Sequence, residues 1–92
     1  MLIGIDYGTK RTGIAVSDDA ETMAFPHDVW ETTKGLVESI VLFARERVAS
    51  GIVVGESRDL AGNPNPVAKE IEKLVGELKV QLSIPVHYEP EF

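Results

Sequence analysis

The chain has 92 residues, no cysteine and a formal net charge of −6, from 9 basic and 15 acidic side chains. This length is enough for one small domain and not for two. The absence of cysteine excludes disulfide frameworks, thiolate zinc sites and cysteine nucleophiles. The longest apolar run, residues 40–44, is far below the ~18 residues of a membrane span, and the first residues lack a basic secretory signal. We therefore expect a cytoplasmic protein with no membrane partner.

The first third of the chain predicts antiparallel strands. Residues 2–6 are a β-branched run closed by a glycine-bearing turn, and residues 12–17 resume an extended apolar pattern, which together indicate a hairpin. A third strand is predicted over residues 21–29. Pro26 places that strand at a sheet edge or makes residue 26 a strand end, because proline has no N–H for the ladder.

The rest of the chain alternates helix and strand. A helix is predicted from Thr33, with Thr32 or Thr33 as its N-cap and Gly51 ending it. Residues 51–55 are typical of a strand buried on both faces, and residues 84–88 predict a last strand. A second helix between them has Asn65 as its cap and Pro66 in its first turn. Its inward-facing positions are Val67, Ile71, Leu74, Val75, Leu78 and Leu82.

The predicted order is therefore β-β-β-α-β-α-β, an α/β fold with a mixed sheet. If the first strand pairs with the fourth and the fourth with the fifth, the carboxyl ends of these three strands lie side by side, where open α/β sheets place their chemistry. Acidic residues follow all three: Asp6, then Glu56, then Glu89 or Glu91. Such a cluster suits Mg²⁺ or Mn²⁺. Taken singly, Glu56 and Glu89 are equally compatible with turn or cap roles, whereas Asp6 interrupts an apolar run and needs compensation.

The turn after the first strand has two interpretations. Gly8 and Thr9 allow close approach of a phosphate, and Lys10 and Arg11 bring positive charge beside Asp6. The alternative is an ordinary hairpin turn with solvated basic residues. The aromatic residues Phe25, Trp30 and Phe43 are expected to pack in the core.

The opening motif GIDYGTKRTGIAVSD, residues 4–18, resembles the YqgF family of Holliday-junction-resolvase-like proteins and pre-16S rRNA nucleases. Residues 52–55 with Gly62, and residues 84–88, resemble the family's fourth and fifth strands. The resemblance implies a ribonuclease H-like fold, metal-dependent phosphodiester hydrolysis and trimming of the 5′ end of 16S rRNA, with RNA and branched DNA both open as substrates. By position, Asp6 matches the first catalytic aspartate and Glu91 a second catalytic acid.

The chain also departs from the family. Gly55-Glu56-Ser57 stands where Gly-Leu-Pro is usual, so Glu56 is a third candidate ligand, and Pro90 and Phe92 replace the acid and arginine beside Glu91. The family's last catalytic aspartate lies on a helix beyond the fifth strand, and this sequence stops at Phe92. The sequence is either a fragment of a longer protein or a reduced relative whose site another molecule completes. We therefore expect a C-terminally truncated domain over residues 1–92 with weak or absent activity.

The missing helix also predicts an incompletely covered sheet. Some of a set of apolar strand residues should be exposed, and two copies of the chain should pair through that face, giving a homodimer. The set comprises Ile3, Ile5, Val53, Val86 and Tyr88.

Two other functions remain as alternatives. The segment GIDYGT is also similar to the first phosphate loop of the actin, Hsp70 and sugar-kinase superfamily, although 92 residues lack the second domain that clasps ATP. A non-catalytic interaction module is the other alternative, favoured by the acidic charge and disfavoured by the retained Asp6 and Glu91.

Overall fold

A computed structural model describes residues 1–18, 23–56 and 68–89, and these residues form five strands and two helices. The order is β1 (Leu2–Tyr7), β2 (Arg11–Ser17), β3 (Ala24–Glu31), α1 (Leu36–Arg47), β4 (Gly51–Glu56), α2 (Ala68–Gln81) and β5 (Val86–Tyr88). The predicted element order and the α/β class are confirmed. Neither helix, as far as the structure describes them, is long and apolar enough to cross a membrane.

The strands form one mixed sheet in the order β3-β2-β1-β4-β5. β1 pairs antiparallel with β2 and parallel with β4, and β4 pairs parallel with β5. The predicted pairing is therefore confirmed, and the carboxyl ends of β1, β4 and β5 lie at the same edge of the sheet. β1 is the central strand, with two strands on either side.

The two faces of this sheet differ in their cover. Ile3, Ile5, Ile52, Val54 and Val86 are buried in one cluster with the apolar residues of both helices, so α1 and α2 pack against the same face. Apart from the buried Gly51 at the start of β4, the alternate positions of β1 and β4 are only half-buried or exposed, which leaves an open face.

The prediction required only some of this set to be exposed, and Ile3, Ile5 and Val86 are not, because they point toward the helices. Val53 is half-buried on the open face, and Tyr88 is half-buried against the core. The same division of faces contradicts the prediction that β4 is buried on both sides.

The first and last residues of α1 differ from those predicted. Its N-cap is Gly35, which makes no side-chain capping bond, and Thr32 and Thr33 precede it. Val48 ends the helix in the left-handed region at φ 52° and ψ 51°, and its N–H bonds the Ala44 and Arg45 carbonyls. Gly51 is instead the first residue of β4, because the chain has already turned back at Val48.

β3 begins at Ala24, later than predicted, and extends to Glu31. Its place at the sheet edge is confirmed. The β2–β3 register shifts between Ile14 and Ala15, and Ala15 is the residue that pairs with Pro26. Phe25 is 45% exposed, so its predicted place in the core is wrong. Trp30 packs edge-on against buried Phe43, at 5.6 Å between ring centroids. The predicted start of α2, with Asn65, Pro66 and Val67, lies outside the described residues.

Candidate functional site

Asp6 stands on the open face between two glycines. Its antiparallel neighbour on β2 is Gly13 and its parallel neighbour on β4 is Gly55. A Cβ placed on Gly13 would lie 3.5 Å from the Asp6 Cβ, an ordinary van der Waals contact, so a side chain there would stand directly beside the aspartate. With glycine at both register positions, no side chain of β2 or β4 stands directly beside Asp6.

The environment of Asp6 disfavours its charged form. Partial burial against the sheet removes water from the carboxylate and raises the pKa of Asp6 above its usual value. No group within residues 1–18, 23–56 and 68–89 makes a hydrogen bond or ion pair with this carboxylate. A bound cation would reverse the shift, because it favours the ionised carboxylate.

Asp6 lines a concavity on the open face, here called the Asp6 concavity, with a volume of about 500 Å³. Glu89, the first residue after β5, lines the same concavity. The Glu89 N–H donates to the Val54 carbonyl at 2.8 Å, which fixes its backbone against β4. Of the two acids predicted after β5, Glu89 is the one that the described residues bring beside Asp6.

The Asp6 concavity contains a third acid, Asp28, whose carboxylate is already bonded. Asp28 accepts the Val29 N–H at 2.7 Å and the Trp30 indole N–H at 3.1 Å. These two hydrogen bonds give the Asp28 carboxylate a structural role, whereas the Asp6 carboxylate makes no such bond within the described residues. Among the described residues, no three acidic or histidine side chains lie close enough together to hold a metal ion.

The other two predicted site acids are less well defined. Glu56 is the register partner of Tyr7, and Gly55 is that of Asp6, so position 56 belongs to the opposite face of β4 at its last residue. The register alone therefore does not place Glu56 beside Asp6. Glu91 lies outside the described residues.

The turn between β1 and β2 presents the predicted basic pair. Thr9, Lys10 and Arg11 are exposed, and Gly8 is half-buried at the end of β1. Arg11 is paired in the β2–β3 register with Glu31, which is also exposed. Only Tyr7 separates Asp6 from the turn, so the positive side chains and the Asp6 carboxylate lie at the same end of β1.

Thr32 anchors this turn, a role that the sequence did not predict. The Thr32 hydroxyl donates to the Gly8 carbonyl at 2.7 Å, and the Thr32 N–H donates to the Lys10 carbonyl at 2.9 Å. The signal in the sequence was ambiguous, because a threonine before a helical pattern is also a typical N-cap. The bonds instead join the end of β3 to the β1–β2 turn.

Comparisons with known proteins agree with this architecture. The family model described as "RuvX: Holliday junction resolvase" matches residues 1–92. A relative from Oleidesulfovibrio alaskensis, named "Putative pre-16S rRNA nuclease", is 36% identical over 87 residues, covering 92% of this chain and 60% of the relative. A relative of the same name from Nitratidesulfovibrio vulgaris is 36% identical over 92 residues, covering 98% of this chain and 65% of the relative. The chain thus spans less than two thirds of the length of these curated relatives.

A solved structure of similar fold is the Thermus thermophilus RuvC in complex with a Holliday junction substrate. The TM-score is 0.62 at 19% sequence identity, covering 97% of this chain and 63% of the other. At that identity the likeness concerns the fold, and it confirms the predicted ribonuclease H-like architecture. Together with the match over all 92 residues, it shows that the chain belongs to the RuvX family of Holliday junction resolvases.

Proposed function

We propose that this chain provides the strand core of a divalent-metal-dependent nuclease that hydrolyses phosphodiester bonds. The proposal rests mainly on the surroundings of the Asp6 carboxylate. Its carboxylate is unbonded among the described residues, is flanked by Gly13 and Gly55, and shares a concavity with Glu89. Asp6 is solvent-exposed yet lines a concavity, and partial desolvation raises its pKa; an ionisable group with a perturbed pKa in a concavity is a candidate functional residue.

The donor atoms fit a hard cation. Carboxylate oxygens are the ligands that Mg²⁺ and Mn²⁺ prefer, and Asp6 and Glu89 both line the Asp6 concavity. Asp6 is the proposed central ligand, and Glu56 and Glu91 are the further ligands predicted from the sequence. Glu89, the alternative to Glu91 after β5, is a further candidate because it lines the Asp6 concavity. When bound, such an ion supplies orientation of a water molecule and stabilisation of the leaving oxygen.

Lys10 and Arg11 are the proposed contacts to the nucleic-acid backbone. Both side chains are exposed at the β1–β2 turn, which Thr32 anchors. This turn lies at the same end of β1 as Asp6. A guanidinium binds a phosphate through two parallel hydrogen bonds, and an ammonium acts as a point charge. Gly8 and Thr9, in the same turn, let the backbone approach a phosphate closely.

For the substrate we propose pre-16S rRNA, following the name of the curated relatives. Cleavage at its 5′ end and a cytoplasmic location are the expectations from the sequence. Branched DNA is the other substrate to test, because the RuvC structure of similar fold holds a Holliday junction. The net charge of −6 makes a broad electrostatic footprint unfavourable. We therefore expect contact to be confined to the β1–β2 turn and the Asp6 concavity.

Titration with Mn²⁺ tests the metal site. The paramagnetic ion should broaden the NMR signals of residues 6–9, 55–56 and 89 together, and Asp6→Asn should abolish this broadening. Asp28→Asn is the matched control, because it removes the same charge from the same concavity at a carboxylate that is already bonded. Broadening centred on Glu70 and Glu77 of α2, or broadening that survives in Asp6→Asn, would contradict the proposed site.

Binding of a labelled RNA and of a four-way DNA junction tests the substrate class. Affinity should fall as salt rises, and Lys10→Gln with Arg11→Gln should reduce the slope of log K against log[salt] by about 1.4 for single-stranded RNA. The double substitution Lys69→Gln and Lys79→Gln on α2 changes net charge equally and should leave the slope unchanged. Saturable ATP binding without a polynucleotide response would favour the nucleotide-binding alternative.

A further inference from the structure

Three residues at the ends of β1, β2 and β3 form a directed chain of hydrogen bonds. The Thr12 and Thr32 hydroxyl oxygens lie 2.7 Å apart, and the Thr32 hydroxyl lies 2.7 Å from the Gly8 carbonyl oxygen. A hydroxyl has one proton to donate, and a carbonyl can only accept. The Thr32 proton is therefore committed to Gly8, and the Thr12 hydroxyl must donate to Thr32.

The burial of Thr12 makes this direction important. Thr12 is 0% exposed and is the one buried polar or charged side chain among the described residues. Its hydroxyl would lose a hydrogen bond without Thr32, and a buried unsatisfied hydroxyl is unfavourable. The Thr32 hydroxyl therefore accepts a hydrogen bond from buried Thr12 and donates one to the Gly8 carbonyl. The first bond fixes the Thr32 side chain, and the second fixes the turn.

We propose that Thr32 is a positioning residue that immobilises the turn carrying Lys10 and Arg11, so that both cations are presented to a phosphate backbone in one arrangement. Thr32 bonds the carbonyls at residues 8 and 10 through its side chain and its main chain respectively. A turn held at two carbonyls has less conformational freedom to lose when a ligand orders its side chains. This inference rests on the proposed function for its ligand, but the immobilisation of the turn does not.

Thr32→Val is the decisive variant, because it deletes the hydroxyl while keeping the branched shape and the main-chain bond to Lys10. We expect NMR order parameters at Thr9 and Lys10 to fall from about 0.85 toward 0.6. Affinity for a short fluorescein-labelled RNA should fall about three- to ten-fold, as expected for one lost hydrogen bond. Thr32→Ser, which retains the hydroxyl, should restore both readouts.

Two further variants separate positioning from general stability. Thr12→Val removes the buried donor but leaves the Thr32–Gly8 bond, so it should lower the thermal midpoint while the turn stays ordered. Thr33→Val, at a neighbouring exposed threonine, should leave RNA affinity unchanged. The proposal is overturned if the turn is equally ordered in Thr32→Val and wild type, or if Thr32→Ser fails to restore it. Absence of RNA binding by the wild type would instead refute the proposed function, and the order parameters would still decide the role of Thr32.

Discussion

Two adjacent valines of β4 test whether one face of the sheet is open in solution. Val54 is 0% exposed, and its register partners are Ile5 on β1 and Tyr88 on β5. Val53 is half-buried, and its partners are Gly4 and the exposed His87. The same substitution, valine to alanine, therefore probes opposite faces of one strand at neighbouring positions.

The structure predicts unequal losses of stability. Removing two buried carbons from Val54 loses about 1.6 kcal/mol of transfer free energy, and the cavity left behind raises the total to about 2 to 3 kcal/mol. Val53→Ala should lower the free energy of unfolding by less than about 1 kcal/mol, because that side chain is already in contact with solvent. For a domain of this size, the Val54 variant should melt about 8 to 24 °C lower.

Trp30 provides the assay. It is the single tryptophan of the chain and packs edge-on against Phe43 of α1, so its fluorescence reports separation of the sheet from the helix. Urea unfolding followed by this signal gives the free energy of unfolding for each variant. Far-ultraviolet circular dichroism should give coincident transitions if unfolding is two-state.

Equal losses at Val53 and Val54 would refute the open face. Such a result would mean that something covers Val53 in solution, and sedimentation at two protein concentrations would show whether a second copy does so. The homodimer expected from the sequence remains a prediction that depends on this face, where Val29 is 60% exposed and Phe25 lines the Asp6 concavity. A chain that sediments as a monomer and still shows equal losses would exclude that dimer.

Three further predictions concern charge and backbone strain. Burial raises the pKa of Asp6, so the native state holds this proton more tightly than the unfolded chain does, and stability should fall as pH rises above about 4. Asp6→Asn should remove that part of the pH dependence in unfolding curves, and saturating Mg²⁺ should reduce it in the wild type only. Val48→Gly should raise the free energy of unfolding by about 1 kcal/mol, because a β-branched residue at φ 52° is strained. Val48 is 82% exposed, so little packing is lost, and a lower thermal midpoint would contradict this prediction. Glu31→Gln should tighten RNA binding about two- to five-fold, because it removes the acid paired with Arg11 in the β2–β3 register. If anisotropy titrations give the wild-type affinity, Glu31 does not compete with RNA for Arg11.

Local pattern was sufficient for the elements and for their order in the sheet. β-branched runs, helical periodicity, and turn and cap residues predicted seven elements. The rule that strands joined through a helix run parallel made the neighbouring placement of β1, β4 and β5 a conditional prediction, which the order of the sheet confirms. Asp6 was conspicuous for the same reason, because an acid inside an apolar run has no explanation within its own strand. These inferences needed only residues close together in sequence and the geometry of the chain.

The sequence therefore determined which elements form and which acid ends the central strand, because both depend on side-chain periodicity within a few residues. Only the tertiary structure decided that both helices pack on one face, since a strand pattern does not say which side a distant helix will cover. Likewise, Glu89 reaches the Asp6 concavity through the β4–β5 register, and Thr32 bonds a turn 24 residues away in sequence. Contacts of this kind arise from the packing of segments that are far apart along the chain, so no local pattern encodes them.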